Sequence, residues 1–224
     1  MHPIISGEPG GLASRAYIFD LDGTLLDSAN VWNRINRHFF EKRGIPFPCD
    51  YQQTIAAMPF PQVAVYTKET YRLPETPEQL MEEFLSMSVD CYAREVDLKP
   101  GAKDYLTRLK KAGCRMAVAT AAPYDLLTPA LCNHGIFDLF DAICTTQEAG
   151  HGKTSPAVFL LAAQRINAKP GECIVFDDIL AAVESAKGAG MTVCGVRDIQ
   201  SEAMWAAIQQ IADYTITDFT DIYF

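Results

Sequence analysis

Two aspartates set two residues apart, Asp20 and Asp22, stand directly after an apolar run, Ala16-Tyr17-Ile18-Phe19, and ahead of Gly23-Thr24-Leu25. An ionised carboxylate is costly to bury without a cation or hydrogen bonds. A chain that places two of them where an apolar strand ends therefore points to a ligand or a metal ion at that edge of a sheet. Gly23 frees the backbone to turn away after them. On its own, an Asp-Gly turn explains these residues as well as a site does.

Three further groups change that balance. Thr120 closes Arg115-Met116-Ala117-Val118-Ala119, Lys153 lies in Gly150-His151-Gly152-Lys153 ahead of a helical pattern, and Asp177-Asp178 end Cys173-Ile174-Val175-Phe176. Singly, each has a plain structural reading: a strand-end hydroxyl, a solvated loop lysine, and an N-cap pair for the next helix. Jointly, four strand ends on one edge supply a nucleophile, a hydroxyl donor, a cation and a metal-binding carboxylate pair, which is what phosphoryl transfer needs.

The elements that must position these groups are legible around them. Short runs at Ala16 to Asp20, Arg115 to Thr120, Ala142 to Thr145, Cys173 to Asp177 and Thr192 to Val196 are apolar throughout, as buried parallel strands are. Helical patterns lie between them. Gly101 to Ala112 ends at Gly113, and Ser155-Pro156 suit the start of a helix carrying Phe159, Ala162, Ala163 and Ile166 at helical spacing. This alternation predicts an α/β fold, a doubly wound parallel sheet of the Rossmann kind.

The interval from 29 to 98 breaks the alternation. It shows helical periodicity and no convincing strand: Val31, Trp32, Ile35 and Phe39 share one helix face that Gly44 can end, and Thr76-Pro77-Glu78-Gln79 starts another helix striped by Leu80, Phe84, Met87 and Cys91. The expected organisation is a loose tail at 1–14, a core of 15–28 with 99–224, and an inserted helical cap at 29–98.

Composition sets limits on partners. With 19 Lys and Arg against 28 Asp and Glu, a formal charge of -9, the chain is not built to neutralise nucleic-acid phosphates. No segment reaches the roughly 18 uninterrupted apolar residues of a spanning helix. Cysteines at 49, 91, 114, 132, 144, 173 and 194 show neither CxxC nor metal-ligand spacing, which fits small core residues in a reducing cytoplasm.

In the order and spacing of these motifs the chain resembles the haloacid dehalogenase superfamily, in its subfamily with a helical cap inserted after the first motif. That resemblance implies that Asp20 attacks phosphorus and forms an aspartyl-phosphate, and that Asp22 protonates the leaving oxygen and then activates water. It implies that Thr120 and Lys153 contact the transferring phosphoryl group. It also implies a magnesium ion held by Asp20, the Asp22 carbonyl and Asp178, with Asp177 nearby. The dehalogenases that named the superfamily lack a second carboxylate like Asp22, so the resemblance implies a phosphatase of small phosphorylated metabolites.

Several positions depart from the family pattern. Ala121 stands in the phosphate-binding stretch where the family usually has Asn, Lys153 is followed by Thr154 where Pro is usual, and Ile179 and Ala182 replace a usual Ser and Gly. Members resembling β-phosphoglucomutase carry a His where this chain has Trp32, and basic groups in a cap loop that here reads Ala56-Ala57-Met58-Pro59-Phe60-Pro61. A sugar phosphomutase is therefore the second reading, and a weakly active binding or regulatory module the third. A module without activity would be expected to have lost one of Asp20, Asp22, Lys153 or Asp178. Trp32, Met58 and Phe60 read as packing between cap helices, and His38, His134 and His151 as structural or surface residues.

Overall fold

The computed structural model describes residues 15–222, apart from the side chains of Asp90 and Ala93. The tail read over 1–14 lies outside the described residues.

The chain enters through strand β1 (Ala16–Phe19), then forms β2 (Leu26–Asp27). Four helices follow: α1 (Ala29–Glu41), α2 (Tyr51–Ile55), α3 (Phe60–Tyr71) and α4 (Pro77–Glu95). Strand β3 (Asp97–Leu98) then leads into α5 (Ala102–Lys111), β4 (Arg115–Thr120), α6 (Tyr124–Asn133), β5 (Ala142–Thr145) and α7 (Thr146–Ala149). The rest is α8 (Ala157–Arg165), β6 (Cys173–Asp177), α9 (Leu180–Gly188), β7 (Thr192–Val196), α10 (Trp205–Ile211) and β8 (Tyr214–Ile216).

Six strands form one parallel sheet in the order β5-β4-β1-β6-β7-β8. The doubly wound α/β expectation holds, with β8 as an added edge strand. Central β1 pairs with β4 on one side and β6 on the other, and Phe19 is in register with both Val118 and Phe176. The chain therefore emerges at Asp20 between Thr120 and Asp177. Even in a strand buried on both faces, the pleat sorts side chains. Tyr17 and Phe19 join an aromatic group on one face, where Phe19 stacks on Phe176 at 4.8 Å and Tyr105 and Phe219 pack edge-on or tilted against them. Ala16 and Ile18 face the small residues of α8 and α9 on the other.

Helices α1 to α4 interrupt this pattern between β1 and β4. The chain leaves and returns through a two-residue antiparallel ladder, Leu26 opposite Leu98 and Asp27 opposite Asp97. One of its strands, Asp97–Leu98, falls in the interval read as strand-free. A two-residue ladder carries no periodic signal, and its pairing is set by a partner some 70 positions away in the sequence. Within the insertion Phe39 of α1 stacks on Phe84 of α4 at 4.2 Å. The start of α4 is the capping box the sequence foretells: Thr76 Oγ1 accepts from the Gln79 amide, and Gln79 Oε1 accepts from the Thr76 amide at 2.9 Å. The predicted stop of α1 is also present, with Gly44 at φ 65° and the Ile45 amide bonded back to the Phe40 carbonyl.

Candidate active site

Beyond Phe19 the backbone keeps pairing for one more step, the Asp20 amide donating to the Phe176 carbonyl at 3.0 Å, and then turns sharply. The amides of Thr24 and Leu26 return to the Leu21 carbonyl, and the Gly23 amide donates to Leu26. Gly23 sits at φ 77°, and a Cβ there would lie 2.5 Å from Asp178 Oδ2. The glycine is required twice, by its dihedral and by the closeness of the β6 edge.

At this edge charged side chains are buried almost completely. Lys153 Nζ lies 2.6 Å from Asp20 Oδ1 and 2.7 Å from Asp177 Oδ2, with Lys153 1% and Asp20 2% exposed. Lys153 is no solvated loop lysine; it joins two strand ends. Burial alone would lower its pKa, but Asp177 and Asp20 more than offset this and hold the ammonium charged. Asp20 is pushed up to about 7, first by burial, against the pull of Lys153, with Asp177 and Asp22 adding repulsion. Asp178 is raised well above the carboxylate range by burial, Asp177, Asp20 and Asp198.

Three buried carboxylates, Asp20, Asp177 and Asp178, bring ligand oxygens within 4.8 Å of one another. One ammonium cannot balance three ionised carboxylates in a dry site; burial first, and then repulsion from the neighbouring carboxylates, raises the proton affinity of Asp20 and Asp178. An all-oxygen, negatively charged cluster of this kind fits a hard divalent cation. Within it Asp177 is the member already spoken for: Oδ2 takes Lys153 and Oδ1 accepts from the Ile179 amide. Asp178 accepts from the Thr24 hydroxyl at 3.2 Å, a polar neighbour supplied by the first loop although Ile179 follows the acid pair.

Asp22 faces the other way. Its Oδ1 accepts from the Trp32 indole N–H at 2.8 Å and from the Tyr92 hydroxyl at 3.0 Å, so α1 and α4 both reach down to it. Burial raises its proton affinity, and the Ser28 hydroxyl, Trp32 and Tyr92 oppose that rise. The sequence reading of Trp32 as packing is half the story. It does pack on Tyr92, at 5.7 Å between ring centres, but its polar edge is spent on Asp22. Tyr92 shows no sign of a polar role in the sequence, being one more aromatic on a long amphipathic helix.

Thr120 and Ala121 line the same cavity, and the Thr120 hydroxyl oxygen accepts from the Ala122 amide at 3.1 Å. Asp20, Asp22, Thr120, Ala121, Lys153 and Asp178 thus share one opening of about 380 Å³, roofed by the insertion; Asp177 stands behind Lys153. The roof is fastened: the Lys153 amide donates to the Ala57 carbonyl at 3.0 Å, and a Cβ on Gly152 would run into that same carbonyl. His134 accordingly has a structural partner, Nε2 meeting the Val96 carbonyl at 2.7 Å.

A family model for haloacid dehalogenase-like hydrolases matches residues 14–190. A probable pseudouridine-5'-phosphatase of Drosophila melanogaster is 29% identical over 210 residues, covering 90% of each chain. A fructose-1-phosphate phosphatase of Escherichia coli is 28% identical over 184 residues, covering 80% of this chain and 95% of its own. In fold, the chain is similar to a β-phosphoglucomutase of Clostridium difficile, with a TM-score of 0.79 at 22% identity over 94% of this chain and 93% of the other.

Proposed function

This chain belongs to the haloacid dehalogenase-like hydrolase family and is a phosphoric monoester hydrolase, and on that premise we propose that it cleaves small phosphomonoesters through an aspartyl-phosphate on Asp20 with magnesium bound. The observation that carries this reading is the unlike company of the two motif aspartates. Asp20 lies against Lys153 in the carboxylate cluster, while Asp22 lies against donors from the insertion. Two carboxylates in different surroundings can take different protonation states and so different roles.

In the first half-reaction a carboxylate oxygen of Asp20 attacks phosphorus, the bond from phosphorus to the substrate oxygen breaks, and Asp22 gives its proton to that departing oxygen. Trp32 and Tyr92 both occupy Oδ1 of Asp22, which leaves Oδ2 to carry the proton toward the cavity. In the second, Asp22 takes a proton from water as the water oxygen attacks phosphorus, releasing phosphate and restoring Asp20. Lys153 steadies Asp20 and offsets charge on the phosphoryl oxygens, Thr120 offers its hydroxyl proton to them, and the backbone at Ala121 borders the same phosphate position. Asp20 and Asp178 with the Asp22 carbonyl would hold magnesium, Asp177 acting through Lys153; the ion when bound would neutralise charge on the carboxylates and the phosphoryl group.

The insertion, residues 29–98, serves as the cap over this site, on a core formed by 15–28 and 99–224. All seven cysteines are free thiols, which supports a cytoplasmic placement, and no helix among the described residues is long and apolar enough to cross a membrane. The partner is a small phosphorylated metabolite rather than a nucleic acid. The test is inorganic phosphate release with and without magnesium, followed by acid trapping of labelled protein. A hydroxylamine-sensitive label on Asp20 is expected; turnover with no trapped label, and none in rapid-quench samples, overturns the covalent route.

A further inference from the structure

The cavity has a charge distribution that limits what the departing alcohol can be. Among the described residues lining it, Lys153 is the only basic side chain, and both Asp20 and Asp177 already hold it. The insertion has basic residues but spends several of them elsewhere: Arg43 on Glu75 and Glu83, Lys42 on Glu83, Arg34 on Glu95, and Lys68 on the Leu73 and Glu75 carbonyls. What the insertion turns toward the cavity is mostly apolar, with Trp32, Ile55, Met58, Phe60 and Phe84 among the lining residues; its polar members there, Asn36, Gln52 and Gln53, are uncharged. The acidic group of the lining away from the strand ends is Glu184, at the exposed rim.

One polar side chain stands out on that roof. Asn36 lies one helical turn beyond Trp32 on α1, is 3% exposed, lines the cavity, and makes no side-chain hydrogen bond among the described residues. With neither its donor nor its acceptor engaged among the described residues, and its side chain on the cavity lining, the amide is available to a molecule in the cavity. Its donor and acceptor suit a neutral hydroxyl or amide; a carboxylate or phosphate oxygen, which only accepts, would use half of it.

We infer that this site takes monophosphates of uncharged alcohols, with no carboxylate and no second phosphate, and that Asn36 is a specificity residue that hydrogen-bonds a hydroxyl or amide of the leaving group. The inference rests on the phosphatase reading above and narrows it. A second anion entering the cavity loses its water, finds no free cation and faces the carboxylates of the strand edge. A bisphosphate, the species a phosphomutase must accommodate, is turned away for the same reason. A cavity of about 380 Å³ leaves room for an alcohol of sugar or nucleoside size.

The test uses the full chain with magnesium and matched pairs: fructose 1-phosphate against fructose 1,6-bisphosphate, and 2-hydroxyethyl phosphate against 2-phosphoglycolate. The neutral member of each pair is expected to have at least about tenfold higher kcat/KM. Equal or better turnover of the doubly anionic members overturns the inference while leaving the phosphatase reading standing. No phosphate release from these or from p-nitrophenyl phosphate overturns both. Asn36→Leu is expected to lower the ratio of kcat/KM for fructose 1-phosphate over phenyl phosphate by about tenfold, mainly through KM. An unchanged ratio in a folded variant removes Asn36 from the role. Met58→Lys, which adds a cation to the roof, is expected to raise turnover of the bisphosphate relative to the monophosphate about tenfold; a fall in that ratio counts against the charge argument.

Discussion

The cavity has two walls made on opposite terms. The strand-edge wall is a set of charged side chains driven into the protein and held there by one another, Lys153 between Asp20 and Asp177, Thr24 on Asp178. The helical wall is mostly apolar, and its polar groups carry no charge: the Trp32 and Tyr92 donors meet Asp22, and Asn36, Gln52 and Gln53 line the open space. The first wall is expensive to build and gains nothing from variation, because the reacting phosphoryl group is the same for every substrate. The second is ordinary helix packing, in which one side chain can be exchanged without unsettling a charge network. On the proposed reaction, the strand-edge wall carries the reacting groups, and the helical wall surrounds the leaving group while lending Asp22 two donors.

This contrast can be broken experimentally, most forcefully at Asp20. Asp20→Asn is expected to lower kcat by at least about 10³-fold while the protein stays folded, since a carboxamide cannot replace the attacking carboxylate. Wild-type turnover in that variant would mean that the strand edge is scaffolding and nothing more. Next in size, Asp178→Ala is expected to raise the magnesium concentration for half-maximal activity by about 10- to 100-fold, read from a metal titration. An unshifted titration would take Asp178 out of the metal site.

Smaller effects belong to the helical wall. Tyr92→Phe deletes one donor to Asp22 and keeps the ring, and Trp32→Phe deletes the other and keeps a smaller aromatic in its place. Each is expected to lower kcat about fivefold to tenfold with little change in KM, the size of one ordinary hydrogen bond. A loss confined to KM would place these residues in substrate binding alone. The smallest expectation concerns stability. Asp20 is pushed up to about 7, so below that pH the folded, magnesium-free protein holds a proton that the unfolded chain gives up down to the ordinary carboxylate range. That contribution is gained as pH falls from about 7 toward about 4 and lost as pH rises through 7. Melting temperatures measured without magnesium should carry this slope, and saturating magnesium should flatten it.

How readable each wall was in the sequence follows from the same contrast. Asp20, Asp22, Thr120, Lys153 and Asp178 stand out because charged or hydroxylic residues at the ends of apolar strands have few structural reasons to be there, and strand runs locate those ends closely: β4, β5, β6 and β7 have the expected bounds. Trp32 and Tyr92 are hidden for the opposite reason. An aromatic at helical spacing looks like core whether or not its N–H or O–H is in use, and Tyr92 meets Asp22 from 70 positions away. Asn36 was passed over as one polar residue in an amphipathic helix, although it is buried. Strand β8, three residues with a half-buried pattern, offered too short a run to separate from loop.

The bond from the Lys153 amide to the Ala57 carbonyl joins the two walls through the residue that also grips Asp20. A roof that lifts to admit substrate or release the alcohol must sever and remake this one link. For such a roof the Lys153 amide proton would be a clock. Its exchange with deuterated solvent would then report how often the roof lifts, and with alcohol departure as the slow step, solvent viscosity is expected to lower kcat and that exchange rate together.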